Sequence, residues 1–230
     1  MIRAILFDLD GTLVDTRDAS WELFSETNAA FALGIDSRED FFRTFEGNFF
    51  DSLAALIPDR QRADAAKTHF LALLRRRYNP TWIPGMDGLV RRLAKQHTLA
   101  IVSTNALETI RRILSAADLD RSFPHVFAGD VEPRKSVSIA RFVSEKAFAA
   151  DPPGGRAVRA AFDRSEVVLV TDTVGDVREA RDVGVRAIGV DWGMHTGRQL
   201  LGAGAELVVS RPEDIESWLT AQVDAPRLTN

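Results

Sequence analysis

The chain has 230 residues, 45% of them hydrophobic, with a formal net charge of -4 and a sequence pI near 5.6. Its length allows a full buried core, and its acidic balance offers no basic footprint for nucleic acid. There is no cysteine, so disulfides, thiolate metal sites and cysteine nucleophiles are excluded, and no apolar run is long enough to span a bilayer.

Ile2 to Phe7 is an apolar run that predicts the first strand, and it opens into Asp8-Leu9-Asp10-Gly11-Thr12. Two carboxylates one residue apart at that point lie at the carboxyl edge of a sheet, where open α/β folds bind ligands. Without a cation the two anions repel, and one is forced to hold its proton. Because the N-terminus enters a strand at once, with no signal-peptide pattern, the expectation is a cytoplasmic protein. Neither membrane nor nucleic acid is expected as a partner, and the chain is expected as a monomer or homodimer.

Residues 16–83 change the texture. Trp21, Phe24, Asn28 and Phe31 recur at helical spacing, as do Ala63, Ala66, Phe70, Leu73 and Arg77, with no strand expected between them. Pro80 and Pro84-Gly85 close the stretch. Phe41, Phe42, Phe45, Phe49 and Phe50 read as the core of this helical insertion, with a face toward the ligand as the alternative.

From residue 84 strands and helices alternate. Strands are predicted at Thr98–Val102, Val126–Ala128, Val167–Val170, Ala187–Val190 and Leu207–Val209. Helices are predicted at Leu89–Lys95, Leu107–Ala116, Ile139–Phe148, Val177–Val183 and Glu213–Leu219. Continuous apolar strands joined by crossover helices imply a parallel, doubly wound α/β sheet covered on both faces. Asp151-Pro152-Pro153-Gly154-Gly155 marks a surface loop, His69 and His97 read as helix-surface residues, and no histidine pair has zinc-ligand spacing.

The second strand ends in Ser103-Thr104-Asn105, the next strand is followed by Pro133-Arg134-Lys135-Ser136, and the fourth ends in Thr171-Asp172-Thr173-Val174-Gly175-Asp176. Only four of the 29 basic residues are lysines, which sets Lys135 apart from a surface otherwise written in arginine. In type, order and position at strand ends, these runs and Asp8-Leu9-Asp10-Gly11-Thr12 resemble the motifs of the haloacid dehalogenase superfamily over nearly the whole chain. Three departures accompany the resemblance. Ser136 and Ser138 stand where prolines are common, Thr171 stands where many members have glycine, and the stretch from Lys135 to Asp172 is longer than is typical.

The resemblance implies a Rossmann-like core of residues 1–15 and 84–230 with a helical cap at 16–83. It implies a Mg²⁺-dependent phosphatase of a small phosphorylated metabolite, similar to the phosphoglycolate phosphatase-like branch, working through an aspartyl phosphate. Asp8 is then the nucleophile and Asp10 the general acid and base. Ser103, Lys135 and the backbone amides around Gly11, Thr104 and Asn105 would meet the phosphoryl group. Asp8, Asp172 and the Asp10 carbonyl would ligate the metal, with Asp176 either ligating through water or holding Lys135.

Arg43 and Asn48, flanking Gly47, are the expected cap contacts to substrate. Val190-Asp191-Trp192-Gly193-Met194-His195 resembles a loop of the same branch, where His195 either touches substrate or caps the loop. Asp10 separates this chain from haloacid dehalogenases and phosphonatases, which lack an acid there. Ser20 stands where β-phosphoglucomutases carry a histidine, which leans away from the alternative of a phosphomutase. A non-catalytic binding protein on the same fold is the reading from a different class, and it would be expected to have lost at least one of Asp8, Asp10, Lys135 or Asp172.

Overall fold

The computed structural model describes residues 1–46, 49–55, 57–148 and 161–224; Gly47, Asn48 and the predicted 151–155 loop lie outside them. The sheet is built from β1 (Ala4–Phe7), β4 (Thr98–Ser103), β5 (His125–Ala128), β6 (Val167–Thr171), β7 (Arg186–Val190) and β8 (Leu207–Val209), in the order β5-β4-β1-β6-β7-β8. All five pairings are parallel. The chain works outward from β1 on one side and then returns to its other side, so the order reverses at β1. That reversal opens a crevice at the carboxyl ends of β4, β1 and β6.

Side chains alternate across the sheet because the strand period is two. Ile5 and Phe7, Leu99 and Ile101, Val168 and Val170 enter one apolar cluster. Ala4 and Leu6, Ala100 and Val102, Val167 and Leu169 enter the other. Helices α5 (Met86–Leu93), α6 (Leu107–Ala116) and α10 (Pro212–Asp224) cover the first face, and α7 (Lys135–Ser144), α8 (Val174–Asp182) and α9 (Gly197–Ala203) the second. With every strand residue of β1, β4 and β6 buried, the sheet is covered on both sides.

A two-stranded ribbon, β2 (Val14–Asp15) against β3 (Thr81–Trp82), closes the neck of the intervening segment. Between them run α1 (Arg17–Phe31), α2 (Arg38–Arg43), α3 (Phe49–Ala55) and α4 (Arg60–Arg77). Phe24 stacks on Phe41 at 4.4 Å between ring centroids and meets Phe70 edge-on at 5.7 Å, and Phe49 of α3 lies 5.5 Å from Phe70, so aromatic packing holds the four helices together. Among the described residues no helix is long and apolar enough to cross a membrane.

Several expectations need correction. The insertion expected to be all-helical over 16–83 ends in a strand, β3, beyond the helical run that stops at Arg77; two residues are too few for an alternating pattern to register. α7 starts at Lys135 and stops at Ser144, ahead of the predicted span, because its polar first turn carries no apolar period. α8 starts at Val174, three residues early, where the Thr173 hydroxyl accepts from the Asp176 amide as the cap. α9 has only Leu200 and Ala203 buried, too few to announce a helix. His69 is half-buried and shares a hydrogen bond of 2.9 Å with the Thr27 hydroxyl, and His97 sits in a bend just before β4 rather than on a helix.

Candidate active site

Asp8 is the first residue past β1, and its amide donates to the Val170 carbonyl of β6 at 3.0 Å, which extends the ladder by one bond and fixes the carboxylate at the crevice. Its Oδ1 accepts the Leu9 amide at 2.7 Å and the Lys135 ammonium at 2.9 Å. Lys135 is 4% exposed and bridges onward to Asp176 Oδ2 at 2.6 Å. The Thr171 hydroxyl donates to that same oxygen at 2.7 Å. A glycine at 171 would leave Asp176 with one anchor fewer, so this departure from the family pattern has a structural reason here. Ser136 is similar: its amide donates to Glu179 at 2.5 Å, a bond proline has no hydrogen to make.

Asp10 points elsewhere. The Tyr78 hydroxyl, at the end of α4, donates to Asp10 Oδ1 in a very short contact. The Asn105 amide group donates to Oδ2 at 3.3 Å, and the Ser103 hydroxyl reaches Oδ2 at 3.4 Å. The Asn105 backbone amide donates to Ser103 Oγ at 3.0 Å, and Asn105 Oδ1 accepts from the Ala106 amide at 2.9 Å. Asn105 is therefore buried and engaged in setting the turn after β4 and holding Asp10. Thr104 lines the crevice beside them, and an added Cβ on Gly129 would stand 2.2 Å from the Thr104 carbonyl oxygen. The β5 turn thus packs directly beneath that segment.

Asp172 is fully buried and lodged between two glycines. A Cβ on Gly11, whose φ is +76°, would lie 2.1 Å from Asp172 Oδ2, and a Cβ on Gly193 would lie 2.2 Å from it. Gly11 thus serves the close approach of Asp172 as well as the turn. Thr12 Oγ1 donates to Asp172 Oδ1 at 2.9 Å and the Met194 amide donates to Oδ2 at 2.8 Å. His195 is buried, with Nδ1 accepting from the Val174 amide at 3.1 Å, so it ties its loop to the start of α8.

Four acids gather around a single ammonium group. Burial pushes Asp8 well above the usual carboxylate range, and Asp176, Asp172 and Asp10 add to the push against Lys135. Burial likewise raises Asp10, partly offset by the donors on Tyr78 and Asn105. Burial carries Asp172 up to about 7, against the Met194 and Thr12 hydrogen bonds. Lys135 would be lowered by burial, but Asp176 and Asp8 hold it above its ordinary value.

The ligands expected besides the Asp8 and Asp172 carboxylates are the Asp10 carbonyl and Asp176 through water, and among the described residues no three His, Cys, Asp or Glu side chains form a metal-holding group by themselves. Lys135 stands between Asp8 and Asp176, and the Asp10 side chain is turned to Tyr78 and Asn105. Asp176 is accordingly a partner of Lys135. The carboxylates able to hold a hard cation are Asp8 and Asp172.

Above Asp10 a small compartment, leaving about 40 Å³ for the centres of water-sized molecules and opening to solvent, is walled by Phe45, Phe49, Phe70, Leu74 and Met194. It adjoins a smaller space over Asp8 and Lys135, and Asp10, Phe45, Phe49, Thr104 and Met194 line both. Arg43 is not in it. Its exposed guanidinium pairs with Asp40 and borders a separate cleft beside Arg17, Arg38 and His195. Asn48 lies outside the described residues. Thr12 and Gly193 lie inside the motif runs but only the structure gives them a role beside Asp172, and Tyr78 belongs to no motif.

The family model for haloacid dehalogenase-like hydrolases matches residues 5–190. A probable phosphatase of Dickeya dadantii, IndB, is 26% identical over 216 residues, spanning 89% of this chain and 88% of its own length. The phosphoglycolate phosphatase of Synechococcus elongatus is 24% identical over 227 residues, spanning 95% and 98%. Among solved structures, a haloacid dehalogenase-like hydrolase from Streptococcus pneumoniae superposes with a TM-score of 0.76 at 20% identity, covering 95% of this chain and 98% of the other, a likeness of fold.

Proposed function

The chain belongs to the haloacid dehalogenase-like hydrolases, and from that premise we propose that it is a Mg²⁺-dependent phosphatase of a small phosphorylated metabolite, working through an aspartyl phosphate on Asp8. The reading rests on one observation: two carboxylates one residue apart have opposite surroundings. Asp8 faces an ammonium and keeps Oδ2 clear of hydrogen bonds from the described residues. Asp10 faces neutral donors and has its pKa raised by burial. Neighbouring acids in such different environments divide into nucleophile and proton carrier.

Asp8 attacks phosphorus as the ester P–O bond breaks, and Asp10 gives its proton to the departing oxygen. Asp10, now ionised, takes a proton from the water that attacks the phosphorus of the acyl phosphate, which releases inorganic phosphate and restores Asp8. Lys135 and the amides beyond Asp8 and Ser103 stabilise charge on the phosphoryl oxygens. The Asp8 and Asp172 carboxylates with the Asp10 carbonyl would hold Mg²⁺, an all-oxygen donor set of the kind that ion takes with its remaining waters. When bound, it supplies positive charge against the phosphoryl group and against the crowded carboxylates.

Residues 16–83 act as the cap over a core of 1–15 and 84–230. Support comes from Phe45 and Phe49, which line the space over Asp10, and from Arg178 of α8, which donates to the Glu46 carbonyl at 2.8 Å. At the place of the mutase histidine, the Ser20 hydroxyl donates to the Thr16 carbonyl at 2.6 Å, which favours hydrolysis over phosphoryl return. The test is turnover of acetyl phosphate with Mg²⁺, together with borohydride trapping of an acyl phosphate. Release of phosphate and label on Asp8 are expected; hydrolysis with no trapped Asp8 would overturn the covalent route.

A further inference from the structure

The wall of the compartment above Asp10 carries information about the alcohol that leaves. Asp10 is the proton donor in the proposed reaction, so the leaving oxygen must come to it, and whatever that oxygen carries must occupy the space beyond. That space is bounded by Phe45, Phe49, Phe70, Leu74 and Met194. Its polar lining is Asp10, Ser20, Tyr78, Thr104 and Asn105; the Tyr78 hydroxyl and the Asn105 amide group are engaged by Asp10 and the Ser20 hydroxyl by Thr16. No lysine, arginine or histidine lines it among the described residues.

The arginines beside the wall in sequence turn outward: Arg75, Arg76 and Arg77 are exposed, with Arg75 paired to Asp130 and Arg77 to Glu26, while Arg17, Arg38, Arg43 and His195 border the other cleft, where Arg38 pairs with Asp18 and Arg43 with Asp40. An anionic leaving group would therefore bury a charge against aromatic rings with no counter-ion, and burial of an unpaired charge is costly.

Resting on the phosphatase reading above, we propose that the substrate is a phosphomonoester of an uncharged, apolar alcohol, with a flat or aromatic group suited to the phenylalanine walls. Phe45 and Phe49 stack at 4.7 Å between centroids, 17° from parallel, and present a preorganised aromatic wall to such a group. A carboxylated ester such as 2-phosphoglycolate places its second anion where no cation among the described residues lines the wall. This separates the chain in substrate from the Synechococcus elongatus relative, while the chemistry at Asp8 stays the same.

The experiment compares kcat/KM for benzyl phosphate, 2-phosphoglycolate and acetyl phosphate on the full chain with Mg²⁺. Benzyl phosphate and 2-phosphoglycolate both release alkyl alcohols, so the comparison reads the pocket more than the leaving group's acidity. Benzyl phosphate is expected to exceed 2-phosphoglycolate by about ten- to a hundredfold, the range that burying one aromatic group supports. Phe45→Arg, at a half-buried position, is expected to narrow or invert that ratio by supplying the missing cation.

Equal or better use of 2-phosphoglycolate by the unaltered chain, with acetyl phosphate turned over, overturns this inference and leaves the phosphatase reading standing. No turnover of any of the three overturns both.

Discussion

Tyr78 donates its hydroxyl hydrogen to Asp10 from 68 positions further along the chain. The tyrosine ends α4, at the return of the helical segment to the core, and it is 1% exposed. Burial and the nearby Asp10 charge raise its own pKa well above the ordinary tyrosine value, so it remains a donor throughout the working pH range. The segment that encloses the site thereby also sets the proton affinity of the group that would protonate the leaving oxygen.

Replacing Tyr78 with phenylalanine removes a donor that pulls the Asp10 pKa down, so that pKa rises further. Asp10 must be protonated to act first as an acid, and activity is lost as pH rises through its pKa. The alkaline limb of the kcat/KM profile should therefore move up by roughly one to two pH units, since a hydrogen bond to a charged group is worth about 1.5–3 kcal/mol and one unit is about 1.4 kcal/mol. A limb that stays in place would show that Tyr78 only packs.

Asp8→Asn keeps the shape of the side chain and removes the attacking oxyanion. Turnover should fall below detection while the melting transition remains cooperative, because the substituted amide still offers a carbonyl oxygen to Lys135. Asp10→Asn should retain some activity and lose about 10²–10⁴ in kcat, the usual contribution of a general acid. Stopped-flow assays with acetyl phosphate and with benzyl phosphate separate the two, since the better leaving group depends less on Asp10.

Much of this arrangement is legible in the chain itself. β1, β4 and β6 are unbroken apolar runs, and the polar residues that end them, Asp8, Ser103 and Asp172, fall at one sheet edge once the strands are parallel. Tyr78 is not legible, and Thr12, though inside the first motif, gives no sign of its bond to Asp172. Tyr78 belongs to a helical segment whose pattern speaks only of packing, and its contact with Asp10 depends on how that segment returns to the core. Gly193 is hidden for another reason, since the need for a missing Cβ appears only when Asp172 lies beside it. Arg43 misleads in the opposite direction: its position in a polar break suggests a ligand contact, yet it points to a separate cleft and pairs with Asp40.

The Asp172 pKa near 7 in the folded chain, above its value in an unfolded one, fixes the sign of a stability effect. Between about pH 4 and 7 the unfolded state has lost this proton and the folded state keeps it, so its contribution to stability declines as pH rises. In excess chelator, the melting temperature of the wild type should fall relative to that of Asp172→Asn across this window and run parallel above it. Mg²⁺ added back should raise the wild-type melting temperature more at pH 8 than at pH 5, because the ion competes with the proton. Parallel curves from pH 4 to 8 would place the burden of charge on a residue other than Asp172.

Gly193→Ala tests the seat of Asp172 without touching a charged group. The new methyl would stand 2.2 Å from both the Cβ and the Oδ2 of Asp172, closer than atoms can approach, and the obstacle is a short buried side chain already held by Thr12 and Met194. Either the loop or the carboxylate must shift by something like an ångström. A misplacement of that size is worth about 10²-fold in rate, so kcat/KM should fall by at least that much, with a higher Mg²⁺ requirement. Gly202→Ala is the matched control. It lies in α9 with nothing within 4 Å of its added Cβ, and alanine there should leave kcat/KM unchanged while adding up to ~1 kcal/mol of stability. Equal activity in the two variants would mean that Asp172 has room to move and that its tight seat between Gly11 and Gly193 is not required for turnover.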